Sequence, residues 1–178
     1  FAIFDEKKNK LFLARDRFGI KPLYYGFIND VFVFASELKA IVSHPCFKKD
    51  LNFSAIGAFF AYRYIPAPLS IWNNIFKLKH GHYIEFDINN WVLSKQTQYY
   101  NLKNKILDRK NSTLEEVEYL LSDSIKKRLI SDVEISTLLS GGVDSSVVTY
   151  YANKFHKNIK SFTIGFSNKN DEAPYAIQ

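Results

Sequence analysis

The chain has no methionine, and its only cysteine is Cys46. A single thiol excludes an internal disulfide, and Cys46, beside His44 and Pro45, lacks the repeated spacing of a zinc-binding site. It reads as a small buried hydrophobe, and the poverty in cysteine is compatible with a reducing, cytoplasmic compartment. No apolar run approaches the roughly 18 residues that argue for a membrane span. Phe1-Ala2-Ile3-Phe4-Asp5 has neither the basic flank nor the small-residue cleavage pattern of a signal peptide. There is no internal repeat. With no initiator methionine, a start that already reads as strand and an end that runs into a helix, the chain is expected to be an internal fragment.

What is present points to a folded chain. Hydrophobic residues make up 47% and aromatics 16% of 178 residues, which excludes a disordered tail and leaves room for one core or parts of two domains. The net charge of +6 raises the question of nucleic acid. The lysines are scattered, with local excesses at Lys7 to Lys10, Lys48-Lys49 and Lys103 to Lys110, and do not interleave with aromatics as a base-stacking platform would. They read as a solvated basic surface, and no nucleic-acid partner is expected.

Up to about residue 100 the chain alternates short apolar runs with turn residues. Residues 1–5 and 10–16 are expected to form a hairpin around Glu6-Lys7-Lys8-Asn9, and residues 22–27 and 31–35 a second around Ile28-Asn29-Asp30. Val31-Phe32-Val33-Phe34 lacks polar alternation, as in a strand covered on both faces. Ser36 is the expected N-cap of a helix over 36–42, and a second helix fits 54–62. Pro66 and Pro68 break the chain, and strands over 82–87 and 91–100 flank the turn signal Asn89-Asn90. Residues 101–111, rich in Lys, Asn, Asp and Arg, read as a linker. Ser112-Thr113-Leu114-Glu115 has the pattern of a capping box. The helix it opens places Leu114, Val117, Leu121 and Ile125 on one face, expected to meet the core. A strand over 134–139, a helix over 145–156 and a strand over 161–166 then make a β-α-β unit, which requires a parallel pair with a right-handed crossover.

Between that strand and helix stands Ser140-Gly141-Gly142-Val143-Asp144-Ser145-Ser146. Adjacent glycines let the backbone turn tightly and present amides to an anion, and the helix start adds its own amides and dipole. The hydroxyls of Ser140, Ser145 and Ser146 can donate to phosphate oxygens, whereas Asp144 suits Mg²⁺, which in turn holds the phosphates. With no Gly-Lys-Ser/Thr this is not a Walker A loop, nor is it the G-x-G-x-x-G of dinucleotide sites. The plainer reading, a glycine turn with a Ser/Asp cap, fits an isolated Ser-Gly-Gly better than seven such residues between strand and helix.

This heptad resembles the pyrophosphate-binding PP-loop of the ATP pyrophosphatases, a superfamily that includes asparagine, GMP, NAD and argininosuccinate synthetases and tRNA-modifying enzymes. The upstream stretch from Leu11 to Tyr25, with Arg15-Asp16-Arg17-Phe18-Gly19-Ile20-Lys21-Pro22-Leu23-Tyr24-Tyr25 followed by Ala35-Ser36-Glu37-Leu38-Lys39-Ala40, is similar to the class II glutamine amidotransferase domain of glutamine-hydrolysing asparagine synthetases. Phe162-Thr163-Ile164-Gly165-Phe166 and Asp171-Glu172-x-x-Tyr175-Ala176 also fit that family. Asn170 departs from the tyrosine often found there.

The resemblance implies an α+β fold over residues 1–100, the C-terminal part of an N-terminal-nucleophile hydrolase-type αββα sandwich. Residues 101–111 would be a linker and 112–178 the first part of an α/β parallel-sheet ATP pyrophosphatase domain, both domains being incomplete. It implies ATP and Mg²⁺ as cofactors, aspartate and glutamine as further substrates, no membrane partner, and a homodimer as an assembly open to the family. Leu138 and Ile164 would meet adenine, Ser140, Gly141, Gly142, Val143, Asp144, Ser145 and Ser146 the phosphates, and Asp144 the Mg²⁺. In the family, aspartate is adenylated with release of pyrophosphate and ammonia from glutamine displaces AMP. The glutaminase step needs an N-terminal cysteine, and Cys46 is internal, so no catalytic nucleophile is assigned and the chain alone is expected to be inactive. Alternatives are a β-lactam synthetase-like enzyme, a relative amidating another carboxylate, and, outside enzymes, a pseudo-enzyme that only binds ATP or a truncated gene product.

Overall fold

Polar turns fold the start of the chain back on itself. The structure, a computed structural model, describes residues 1–107, 112–166 and 173–177. Two units, Phe1–Asp108 and Arg109–Gln178, are distinguished by their internal packing.

In the first unit, β1 (Ala2–Asp5) pairs antiparallel with β2 (Lys10–Ala14), Ala2 lying opposite Leu13 and Asp5 opposite Lys10. Asn9 makes the turn in the left-handed region at φ 52°, which asparagine tolerates. On its other edge β2 pairs with β6 (His82–Asp87), which also carries β7 (Val92–Leu93) and β8 (Thr97–Gln98). The strand expected over 91–100 is therefore two short ones, interrupted where Ser94 bonds Glu85 through both its amide and its hydroxyl. A second, three-stranded sheet has β3 (Tyr24–Ile28) between β4 (Val31–Ala35) and β5 (Ile75–Lys77). β5 has no counterpart in the sequence reading, because three residues carry too little pattern.

Alternation along β3 and β4 gives this smaller sheet two working faces. Tyr25 and Phe32 turn toward the larger sheet and pack with Leu13, Leu23, Leu78 and Ile84, and the Phe32 ring stacks on Phe86 at 4.4 Å. Ile28, Val33 and Ile75 pack on the other side against Ile41 of α1 (Leu38–Val42). The order is sheet, sheet, helix, and full burial of each aliphatic side chain between the layers contributes about 1.5–3 kcal/mol. Val31 and Phe34 remain exposed. β4 is thus not covered on both faces along its length, since it is an edge strand whose middle alone meets both neighbouring layers. Glu37, not Ser36, is the N-cap residue of α1, with extended backbone and no side-chain cap; its carboxylate lies 2.8 Å from the Lys39 ammonium instead. Asn52 caps α2 (Phe53–Tyr62) by accepting from the Ala55 amide. Cys46 is exposed rather than buried.

Arg15, Asp16 and Arg17 do not form an ion-pair cluster; among the described residues no ion pair joins Asp16 to either arginine. Arg15 donates to the carbonyls of Lys21, Leu78 and Gly19 at 2.9, 2.8 and 2.7 Å. The Asp16 carboxylate accepts from the amides of Phe18, Ile20 and Lys21 at 3.1, 3.0 and 3.0 Å. Arg17 lies 5.3 Å from the centre of the Tyr100 ring. Backbone groups of the loop between β2 and β3, with the Leu78 carbonyl, thus hold Arg15 and Asp16, and an aromatic ring faces Arg17; among the described residues no opposite charge pairs with them.

Within the stretch read as a linker, α3 (Leu102–Leu107) is helical; residues 108–111 lie outside the described residues. In the second unit α4 (Leu114–Arg128) opens with a capping box one residue later than expected: Thr113, not Ser112, accepts from the Glu116 amide, and Glu116 accepts from the Thr113 amide. Of its apolar face only Ile125 is buried; Leu114, Val117 and Leu121 are exposed, so the expected core-facing stripe meets the core only at its C-terminal end. There it packs on Tyr151 and Ala152 of α5 (Val143–Phe155). β9 (Ser136–Leu138) and β10 (Lys160–Phe162) are parallel, Ser136 opposite Lys160, with α5 between them in sequence. Both strands are shorter than expected, and α5 begins two residues earlier, because Gly142 with extended backbone takes the N-cap position. α6 (Ala173–Ile177) closes the described chain; Asn170 and the Asp171-Glu172 pair lie outside the described residues.

Candidate functional site

The end of β9 and the start of α5 are joined by the glycine turn. Gly141 is left-handed at φ 79°, and a Cβ there would lie 2.5 Å from Tyr175 Cβ, 2.7 Å from the Tyr175 carbonyl carbon and 2.9 Å from the Ala176 nitrogen. The backbone of α6 thus rests directly on this residue. Gly142 is different: its φ is −75°, and a Cβ there would meet only the Ser140 hydroxyl, at 3.5 Å. No side chain caps α5, so its first-turn amides have no partner within the helix and no capping group. A helix start in that condition favours an anion by both its donors and its dipole.

The serines of the loop occupy different positions. Ser145 accepts from the Ser140 amide at 3.2 Å, lies 3.0 Å from the Ser140 hydroxyl and donates to the Gly142 carbonyl at 3.0 Å. Ser146 lines a separate apolar groove with Leu114, Val117, Leu121, Val147 and Tyr150 between α4 and α5. Asp144 and Val143 are exposed in the first turn of α5. Among the described residues no group of three or more His, Cys, Asp or Glu side chains is placed to hold a metal. A lone exposed carboxylate suits an ion such as Mg²⁺ that takes most of its ligands from phosphates and water.

Beside the loop, a cleft of about 330 Å³ opens at the carboxyl ends of the parallel strands, lined by Leu138, Leu139, Ser140, Phe162, Thr163 and Ile164 with Phe166. Leu138, the last residue of β9, is 76% exposed and Ile164, two residues beyond β10, is 68% exposed, so neither is a core residue. Their apolar surfaces face a concavity at the place where open α/β sheets bind ligands. Thr163 donates to the Leu139 carbonyl at 2.6 Å and the Leu139 amide to the Phe162 carbonyl at 2.9 Å, which ties the two strand ends together. Leu138, Ser140 and Ile164 are thus brought to one cleft, while Gly141, Gly142, Val143 and Asp144 stand at the helix start. Ser146 is turned to another groove. Leu139, Phe162, Thr163 and Phe166 are additions, whose only sequence signal is their place at strand ends.

A glycine loop thus joins a parallel strand to an uncapped helix start, with an apolar cleft alongside, an arrangement able to take an anion next to an apolar group. Residues 1–100 match the glutamine amidotransferase domain family and residues 116–178 the asparagine synthase family. The chain therefore belongs to the glutamine amidotransferase domain family over its first 100 residues, with the asparagine synthase match following it. It is 40% identical, over 98% of its length and 35% of the relative's, to a Methanocaldococcus jannaschii protein provisionally named as a glutamine-hydrolysing asparagine synthetase. Two glutamine-hydrolysing asparagine synthetases of Bacillus subtilis, numbered 3 and 2, are 32% and 35% identical over 98% of the chain and 31% and 25% of their own lengths. The chain thus spans about a third of the length of these relatives or less. No helix among the described residues is long and apolar enough to cross a membrane.

Proposed function

We propose that the protein carrying this chain is a glutamine-hydrolysing asparagine synthetase, converting aspartate, glutamine, ATP and water to asparagine, glutamate, AMP and pyrophosphate. The observation that carries this reading is the pairing of an amidotransferase match over residues 1–100 with a glycine loop, parallel strand and uncapped helix inside the asparagine synthase match. In this reading residues 1–100 belong to an αββα amidotransferase sandwich, 101–111 are the connection and 112–178 begin a PP-loop domain with a larger parallel sheet. Two facing antiparallel sheets with α1 outside support the first assignment, and the β9-α5-β10 unit supports the last.

Carboxylate oxygen is a poor leaving group and AMP a good one, which is the chemical reason for spending ATP. An aspartate carboxylate oxygen attacks the α-phosphorus, the bond to the bridging oxygen breaks, and pyrophosphate leaves with that electron pair. Ammonia then adds to the acyl carbon and AMP departs. Leu138 and Ile164 would hold the adenine in the cleft, and the first-turn amides of α5 would meet the phosphate oxygens with fixed donors as negative charge grows there. Asp144 would hold Mg²⁺, which when bound neutralises charge on the departing pyrophosphate. A homodimer in the cytoplasm is part of the same proposal by family likeness.

Asp144→Asn in the intact protein is expected to lower aspartate-dependent pyrophosphate release by about 100-fold, the scale of losing one electrostatic group at a transition state. Release at the wild-type rate would refute the role given to Asp144.

A further inference from the structure

The hydroxyl of Ser145 touches three atoms on both sides of the glycine turn, and its valence decides what each contact is. A serine hydroxyl has one hydrogen to donate and two lone pairs. The Gly142 carbonyl can only accept, so the Ser145 hydrogen is committed to it at 3.0 Å. The Ser140 amide can only donate, which occupies one lone pair at 3.2 Å. In the 3.0 Å contact between the two hydroxyls, Ser140 must then be the donor, and it fills the second lone pair. Ser140 Oγ in turn stands 3.5 Å from the Gly142 amide. The bonds thus run from the end of β9 through two hydroxyls to the N-cap carbonyl of α5, bridging Gly141, whose left-handed backbone is packed by α6 but makes no side-chain contact of its own to hold the turn.

We propose that Ser145 is a positioning residue: its hydroxyl holds the glycine turn in shape before any nucleotide arrives, so that the first-turn amides of α5 already face the phosphate position. The assignment of that position rests on the proposed ATP-dependent function; the bracing itself does not. With its hydrogen and both lone pairs engaged, the Ser145 hydroxyl has no donor left for a phosphate oxygen in this arrangement. Its contribution to nucleotide binding is made through the amides. Preorganised donors reduce the ordering cost of binding, so loss of the brace falls first on the KM for ATP.

The test is amide hydrogen exchange in the intact protein without nucleotide, read on peptides covering residues 140–146, together with steady-state kinetics. Ser145→Ala is expected to speed exchange across the loop by about tenfold or more, through local opening of bonds that no longer close, and to raise the KM for ATP more than it lowers kcat. Ser145→Thr, which keeps the hydroxyl, is expected to restore both, and Ser140→Ala, which cuts only one of the three contacts, to give a smaller acceleration. Unchanged nucleotide-free exchange in Ser145→Ala with a raised KM would overturn the proposal and make the hydroxyl a direct phosphate ligand. If Ser145→Ala loses protection throughout α4 and β9, the Ser140→Ala exchange decides: acceleration confined to the loop supports the brace, and none refutes it. A wild-type protein that ignores ATP would refute the functional reading while leaving the exchange result to judge the brace.

Discussion

Gly141→Ala in the intact protein is expected to cut ATP-dependent pyrophosphate release by about 100-fold or more, because the loop that the proposed function sets against the transferring charge can no longer keep its shape. Two costs coincide at this residue. Its φ of 79° lies in the left-handed region, where a Cβ costs about 1–2 kcal/mol. The added carbon would also stand 2.5 Å from Tyr175 Cβ and 2.7 Å from the Tyr175 carbonyl carbon, and neither is the far end of a flexible side chain. Relief requires either α6 to move off the loop or the turn to flip, and both displace the amides that follow. Gly142→Ala is the internal comparison. Its φ is −75° and the nearest atom to its new Cβ is a hydroxyl at 3.5 Å, so its loss should be clearly the smaller. Equal losses in the two variants would show that glycine is needed there for the approach of phosphate alone, and that the packing of α6 on Gly141 is irrelevant.

Arg15→Ala is expected to destabilise the first unit by about 3 kcal/mol, since hydrogen bonds to a charged group contribute about 1.5–3 kcal/mol each and three bonds on one side chain do not add fully. The guanidinium spans three carbonyls, and one of them belongs to Leu78, whose side chain is fully buried in the main cluster. Truncation leaves that carbonyl without its donor. Arg15→Lys should recover less than half of the loss, because a single ammonium cannot reproduce the planar fork. Denaturant titration of the intact protein, following a probe in residues 1–100, reads the effect, and a loss under about 0.5 kcal/mol, the range of an ordinary surface change, would refute it. Asp16 adds a pH dependence to the same loop. Partial burial pushes its pKa up, but the amides of Lys21, Ile20, Phe18 and Gly19 outweigh that and hold it below the usual carboxylate range. A carboxylate lowered on folding contributes stability that is fully present above its unfolded pKa, about 3.9, and is lost as pH falls through the lower folded value. The gap between wild type and Asp16→Asn should therefore hold at neutral pH and close only on acidification below about pH 4.

The parts of the fold legible in the sequence are those decided locally. The hairpins around Asn9 and Asn29 could be read because asparagine tolerates the left-handed turn, and both residues have positive φ. The β-α-β unit could be read because the period changes from two to helical spacing and back. What could not be read depends on distant partners. Ile75, Phe76 and Lys77 become a strand only because β3 offers them an edge. Ser94 breaks a promising apolar run because Glu85 lies opposite. Ser112 and Thr113 are equivalent on paper, and the extended backbone of Thr113 selects between them. Leu114, Val117 and Leu121 show the other limit: periodicity identifies an apolar face but not whether anything covers it.

The glycine loop after β9 stood out because its residue types and order are local. The cleft beside it did not, since Phe162, Thr163 and Phe166 join Leu138 and Ile164 only when the strands pair in parallel. The Arg15-Asp16-Arg17 run sets opposite charges side by side, which by itself points to ion pairing. Its partners are instead backbone groups for Arg15 and Asp16 and a distant ring for Arg17, which a sequence does not display.

The most direct test of the whole account is the fate of ATP in the intact protein. With aspartate, glutamine, ATP and Mg²⁺ supplied, the products should be AMP and pyrophosphate in equal amounts with asparagine, and none should form when aspartate is left out. ADP and inorganic phosphate in their place, or pyrophosphate released without regard to aspartate, would contradict it.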